Sequence, residues 1–191
     1  MTAPESWRIF CAVELPSNVR LRLQEHVQKL RAETPDVAAS WTRVENIHLT
    51  LKFFGDVNVD RISKISTATT HAAKEFSAFE VSVGGTGVFP KASRAQVLWI
   101  GVNDPSGRLS VLHKGLEKEF AAVGFQKEDR AFRPHLTIAR IRRPEGARQL
   151  ADAHLKTEFE SQEIKLNELI VFRSELSSQG SRYTIISRHK L

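Results

Sequence analysis

The chain has 191 residues, 41% of them in the set AVILMFWYC and 26% charged, with a mean hydropathy of −0.29, the composition of an ordinary globular protein able to bury a sizeable core. No apolar run approaches the roughly 20 residues that a membrane-spanning helix needs, and Met1 to Ser6 lacks the basic-then-apolar order of a secretion signal, so a cytoplasmic protein with no membrane partner is expected. Twenty-eight Lys and Arg against 22 Asp and Glu give a net charge of +6 and a pI near 9.7, a balance that attracts polyanions without identifying one.

The first predicted element is a strand, because Trp7, Ile9, Cys11 and Val13 alternate with Arg8, Phe10, Ala12 and Glu14. Cys11 is the single cysteine, which excludes an intrachain disulfide and a cysteine-based zinc site and points to a buried thiol. A helix follows Pro16-Ser17-Asn18, with Val19, Leu23, Val27 and Leu30 on one face and Pro35 as its stop. A short strand is expected near Ser40 to Val44. Ile47 to Phe53 alternates strictly and predicts a strand ended by Gly55-Asp56, before a second helix carrying Ile62, Ile65, Ala72 and Phe76. Gly84-Gly85-Thr86-Gly87 lacks the Gly-Lys-Ser/Thr ending of a phosphate loop and is expected to be a turn between strands.

The second half repeats the plan. A strand at Val97 to Val102 leads through Asp104-Pro105-Ser106-Gly107 into a helix with Leu109, Leu112, Leu116, Phe120 and Val123 on one face. A strand from Pro134 to Ile141 and a helix from about Glu145 to Leu155 come next. The last segment supplies strands around Glu163 to Glu175, with a break at Leu166-Asn167, and from Arg182 to Ser187 after a turn at Ser177 to Ser181. Placing Pro16-Ser17 on Pro105-Ser106 brings His48 and His135 within two positions of each other, so the halves read as a duplication.

Each half carries one copy of a tetrapeptide: His48-Leu49-Thr50-Leu51 and His135-Leu136-Thr137-Ile138. With 7 His and 11 Thr in the chain, chance supplies roughly 0.4 His-x-Thr triplets before the flanking Leu and Ile are demanded. On a strand, residues i and i+2 share a face, so each half presents one imidazole and one hydroxyl while the leucines enter the core. Two imidazoles titrating near neutrality can act together as general base and general acid, and threonine hydroxyls can donate to non-bridging phosphoryl oxygens. A strained cyclic phosphodiester attacked by water suits such a pair, because ring strain supplies driving force otherwise left to a metal ion. Neither motif carries a metal-ligand set, and no GxSxG elbow is present. His26, His71, His113, His154 and His189 repeat in no motif and are expected to be core or surface residues. Arg130, Arg133, Arg140, Arg142 and Arg143 crowd one stretch and are candidates for a phosphate-bearing ligand.

In their context, Trp41…His48-Leu49-Thr50-Leu51-Lys52-Phe53-Phe54-Gly55 and Phe132-Arg133-Pro134-His135-Leu136-Thr137-Ile138-Ala139-Arg140, the motifs resemble those of the 2H phosphoesterases, specifically the RNA 2′,3′-cyclic phosphodiesterases once called 2′-5′ RNA ligases. Arg8 to Pro16, Gly87-Val88-Phe89-Pro90, Val97 to Val102, Ser174-x-Leu176 and Arg182-Tyr183 resemble the same branch. The resemblance implies an α+β fold, bilobal and pseudo-twofold, with two antiparallel sheets around a central groove and helices outside, residues 1–191 forming one domain of two intertwined lobes. It implies no metal and no organic cofactor. The activity implied is hydrolysis of RNA 2′,3′-cyclic phosphate ends to 2′-phosphomonoesters, with reversible 2′-5′ ligation as a companion; tRNA fragments or small cyclic nucleotides are candidate substrates and a monomer is expected. By this likeness His48 is the general acid, His135 the general base, and Thr50 and Thr137 bind the phosphoryl oxygens. Phe10 either stacks a base or belongs to the core, and Arg133, Arg140 and Tyr183 are further candidates for substrate contacts. The alternative is an RNA- or nucleotide-binding module of the same fold without significant turnover.

Overall fold

The computed structural model describes residues 5–178 and 180–191. Its first strand, β1 (Ser6–Glu14), is apolar on both faces because both are covered: Ile9, Cys11 and Val13 enter the main core, while Phe10 and Ala12 form a second small cluster with Ile170 and Phe172. Helix α1 (Ser17–Glu33) buries Val19, Leu23, Val27 and Leu30, and its end is tied by the Thr34 hydroxyl donating to the Leu30 carbonyl at 2.7 Å. The chain continues through β2 (Ala39–Trp41), a 3₁₀ turn at Val44–Asn46, β3 (His48–Asn58), α2 (Ile62–Lys74), β4 (Phe79–Phe89) and β5 (Val97–Asn103). Then come α3 (Arg108–Ala122), β6 (His135–Ile141), α4 (Ala147–Lys156), β7 (Gln162–Leu166), β8 (Glu168–Ser177) and β9 (Gly180–Lys190).

The strands form two antiparallel sheets, a four-stranded one of order β3-β1-β8-β9 and a five-stranded one of order β2-β6-β5-β4-β7. Setting β2 aside, the orders correspond strand for strand, with β3 and β6, the motif strands, in equivalent places. The halves are interleaved: β4 lies in the second sheet, and β8 and β9, from the end of the chain, complete the first. The apolar faces of all four helices share one core with both sheets. Cys11 is fully buried there, and desolvation pushes its thiol up to about 12, which leaves it inert.

Four expectations are corrected. Gly55 does not end its strand: β3 runs on to Asn58, and Gly55, with φ of 73°, sits at a bulge where Phe54 is extra to the pairing of Ile9 with Gly55 and Phe10 with Phe53. Gly84 to Gly87 is not a turn between strands but the interior of β4, bulged between Val83 and Thr86. Glycine is needed at position 87 because a Cβ there would stand 2.0 Å from the Trp99 ring. The short strand expected near Ser40 to Val44 is Ala39–Trp41 instead, since residues 44–46 turn into 3₁₀ geometry. Phe76, expected in the second helix, lies beyond its end at Lys74. The expected turn at Ser177 to Ser181 includes Gln179, which lies outside the described residues, as do residues 1–4.

Candidate active site

The two motif strands face one groove. Its walls, enclosing about 270 Å³, include Phe10, His48, Thr50, His135, Thr137, Arg140 and Tyr183, so seven of the eight residues singled out as site candidates border one cavity. Leu49, Leu51, Leu136 and Ile138 are buried in the core behind them, as alternation requires.

Each histidine is held in the same way. Nδ1–H of His48 donates to the carbonyl of Asn46 at 2.8 Å, and Nδ1–H of His135 donates to the carbonyl of Arg133 at 2.7 Å, in both cases the residue two positions earlier. A carbonyl can only accept, so the proton on Nδ1 is assigned by its partner, and Nε2 of each ring is left without a bond to any described residue. Neither the Thr50 nor the Thr137 hydroxyl is engaged by a described residue. Two imidazoles with an unbonded Nε2 and two unengaged hydroxyls therefore border one space.

The surroundings of the two rings differ. His48 stacks on Phe10 with centroids 4.7 Å apart and planes 23° from parallel, and Tyr183 meets it edge-on at 5.4 Å. Burial against these rings lowers the His48 pKa to about 4, against smaller raising contributions from the Asn46 carbonyl and Glu14. Around His135, Phe89 stands perpendicular at 5.0 Å and Trp99 lies at 6.4 Å.

Of the two readings of Phe10, the packing one matches its surroundings. Although it borders the groove, its side chain is 3% exposed and its ring packs against His48 at 4.7 Å, Phe172 at 5.0 Å and Tyr183 at 4.9 Å, so it braces the histidine and offers little surface to a base. Arg133 lies outside the groove, on a wider cavity beside it that also takes in Arg130 and His135. The arginine cluster is divided: Arg140 lines the groove, Arg130 and Arg133 the neighbouring cavity, and Arg142 and Arg143 a third pocket. His26, His113, His154 and His189 are buried and His71 is exposed, none of them in the groove.

Several groove residues are not among the site candidates drawn from the sequence. Thr42, Ser174 and Ser181 add polar lining, and Arg8 lies over the Phe53 ring at 4.7 Å. Asn46 links the site to β9 by donating from Nδ2 to the Ser181 carbonyl at 2.7 Å while its own carbonyl holds His48. No carboxylate of a described residue pairs with Arg8 or Arg140, which leaves the groove cationic. Among the described residues no cluster of three His, Cys, Asp or Glu side chains could hold a metal ion. Among them, too, no helix is long and apolar enough to cross a membrane.

The profile of the 2′-5′ RNA ligase superfamily matches residues 19–177. The chain belongs to that superfamily, the 2H phosphoesterases. Its relatives in the superfamily include an RNA 2′,3′-cyclic phosphodiesterase of Methanothermobacter thermautotrophicus, 34% identical over 93% of this chain and 95% of that protein. A second, from Thermotoga maritima, bears the same name and is 29% identical over 94% of this chain and 92% of its own length. Among solved structures, a Thermus thermophilus protein superposes with a TM-score of 0.79 at 25% identity, covering 96% of this chain and 97% of that one. Escherichia coli LigT in complex with 3′-AMP gives a TM-score of 0.73 at 25% identity, covering 98% and 99%. These likenesses run through both motif strands, so the superfamily's α+β architecture spans both sheets of the chain.

Proposed function

We propose that the protein is an RNA 2′,3′-cyclic phosphodiesterase that opens the cyclic phosphate to a 2′-phosphomonoester by general acid–base catalysis from its two motif histidines. The observation that carries this reading is the pair of identically held imidazoles, each with Nδ1 committed to a backbone carbonyl and Nε2 left to the groove. The names of the relatives, RNA 2′,3′-cyclic phosphodiesterase in both cases, support the substrate class.

In the proposed step, Nε2 of His135 takes a proton from water as the water oxygen attacks phosphorus. The P–O3′ bond breaks on the opposite side, and Nε2–H of His48 protonates the departing O3′, so the phosphate stays on O2′. Thr50 and Thr137 donate to the non-bridging oxygens, where negative charge grows in the transition state. Arg140 and Arg8 hold the anion in the groove. In the empty groove the low pKa of about 4 leaves His48 neutral at pH 7, and the anionic substrate shifts it toward the protonated form. An opposite charge within hydrogen-bond reach raises such a pKa by about 1–3 units, to about 5–7, so the share of His48 able to act as the acid grows when the phosphate binds.

The test is turnover of an RNA bearing a 2′,3′-cyclic phosphate by the wild type, His48→Ala and His135→Ala. Each variant should lose about 10²-fold or more in kcat, the usual range for one proton-transfer group. A variant that keeps near-normal kcat removes its histidine from the mechanism, and a wild type that binds this RNA without turning it over is a binding module.

A further inference from the structure

We propose that a four-arginine pocket, separate from the catalytic groove, holds the phosphodiester backbone of the RNA upstream of its cyclic end. The proposal rests on the RNA reading above and extends it by giving the substrate's body a place and a direction.

The pocket, about 380 Å³, lies where the 3₁₀ turn Ala92–Arg94, the end of β6 and the start of α4 meet. Arg94, Arg142, Arg143 and Arg148 line it together with Ser93 and Gln96. All four arginines are exposed. Only one carboxylate of a described residue engages any of them, Asp152 with Arg148 at 3.6 Å. The Arg142 Nε donates to the Ser40 hydroxyl, which anchors that guanidinium without neutralising it. Four like charges with one counter-charge repel one another, and a polyanion relieves that repulsion. The first turn of α4 adds no acidic residue, and Gly146 before it provides no side-chain cap.

A bulge joins this pocket to the groove. In the pairing of β5 with β6, Leu98 faces Ala139 and Trp99 faces Thr137, so Ile138 is extra. Strict alternation from His135 and Thr137 would turn Arg140 toward the helices with Leu136 and Ile138. The extra residue resets the alternation, placing Arg140 in the groove wall and Arg142 two residues farther along the same face. From Thr137 to Arg142 the strand covers about 15 Å. That distance is beyond a mononucleotide seated at the histidines and within reach of an oligonucleotide. Arg130 and Arg133 lie in the other direction, on a cavity that shares Thr50 and His135 with the groove, and a terminal nucleotide alone can reach them.

The experiment compares a nucleoside 2′,3′-cyclic phosphate with an oligoribonucleotide of the same end, using wild type, R94Q/R143Q and R130Q/R133Q. Affinity for the oligonucleotide product with its 2′-phosphate is measured over a series of salt concentrations. R94Q/R143Q should hydrolyse the mononucleotide as the wild type does, which also shows that it folds. It should bind the oligonucleotide about tenfold more weakly, with a salt slope smaller by about 1.4, because each single-strand phosphate that the protein no longer neutralises lowers the slope by about 0.7. R130Q/R133Q should affect short and long substrates alike. Unchanged affinity and salt slope in R94Q/R143Q, or selective loss on the oligonucleotide in R130Q/R133Q instead, overturns the proposal and leaves the catalytic reading standing. Hydrolysis of neither substrate by the wild type overturns both.

Discussion

At the residue scale, His48 and His135 share a hydrogen-bonding plan and differ in what packs around them. Phe10, Phe172 and Tyr183 enclose His48, and the cost of charging a buried imidazole holds its pKa near 4. If the bound phosphate arms this ring, an NMR titration of the His48 side chain should give a midpoint near 4 in the free protein and a distinctly higher one with a nucleoside 2′-phosphate bound. An unmoved midpoint would separate His48 from the phosphate. The assignment of acid and base has its own test. A cyclic substrate with sulfur in place of the bridging O3′ needs no protonation of its leaving group, so it should restore most of the rate lost in His48→Ala and little of that lost in His135→Ala. The reverse pattern would exchange the two roles. Thr50→Ala and Thr137→Ala each remove one donor from the developing oxyanion and should lower kcat by about 10²-fold, with melting temperatures close to the wild type because neither hydroxyl bonds to a described residue.

At the scale of elements, what the sequence concealed is largely a matter of bulges. Helix faces and motif strands were legible because Val19, Leu23, Val27 and Leu30, and the His-x-Thr repeats, follow the helical and strand periods. Periodicity carries no mark of an extra residue. In β3, Ala12 pairs with Thr50 and Cys11 with Lys52, so Leu51 is extra and everything after it is turned over. Alternation alone would set Lys52 beside His48 and Thr50. Instead it points into the helical layer, 4% exposed, with Nζ 2.8 Å from Glu117 of α3 and donating to the Gln126 carbonyl at 2.7 Å. The same Glu117 accepts from the Glu128 amide at 2.9 Å, which fixes the loop leading toward Arg130. Lys52→Met leaves that carboxylate buried without its cation and should cost about 3–5 kcal/mol. At about 2–4 °C per kcal/mol for a chain of this size, thermal melting should fall by roughly 10 °C; an unchanged melt would show that the ion pair contributes nothing net. The pattern of Phe10 fits both a base platform and the core, and what tells them apart is its burial in a cluster with His48, Phe172 and Tyr183, which no periodicity encodes.

Across the whole molecule, a buried histidine pair ties one helix from each half to the five-stranded sheet. His26 on α1 donates from Nε2 to Nδ1 of His154 on α4 at 3.0 Å, and Nε2–H of His154 points to the carbonyls of Gly87 and Trp99 on β4 and β5. Burial, then the neighbouring His154 and Lys29, lowers His26 to about 4, and burial lowers His154 as well. The unfolded chain takes up its His26 proton near 6.5 and the folded chain only near 4. Protonation therefore favours unfolding between those values: the stability is whole above about pH 6.5, is lost as the pH falls to about 4, and changes no further below that on this group's account. The loss for His26 is about 3 kcal/mol. Melting temperatures measured from pH 7 to 4 should fall, and His26→Gln, which can still donate to His154 without titrating, should flatten the slope. An equally steep fall in His26→Gln would place the acid sensitivity elsewhere.

The central claim is that two imidazoles and two hydroxyls, without a metal ion, open a cyclic phosphate at the end of RNA. The most direct measurement is phosphorus NMR of the product formed from a 2′,3′-cyclic phosphate-ended RNA by the wild-type protein in excess EDTA. Full conversion to the 2′-phosphomonoester is expected, at a rate that added divalent metal does not change. A 3′-phosphomonoester, or turnover that EDTA abolishes and metal restores, would contradict it.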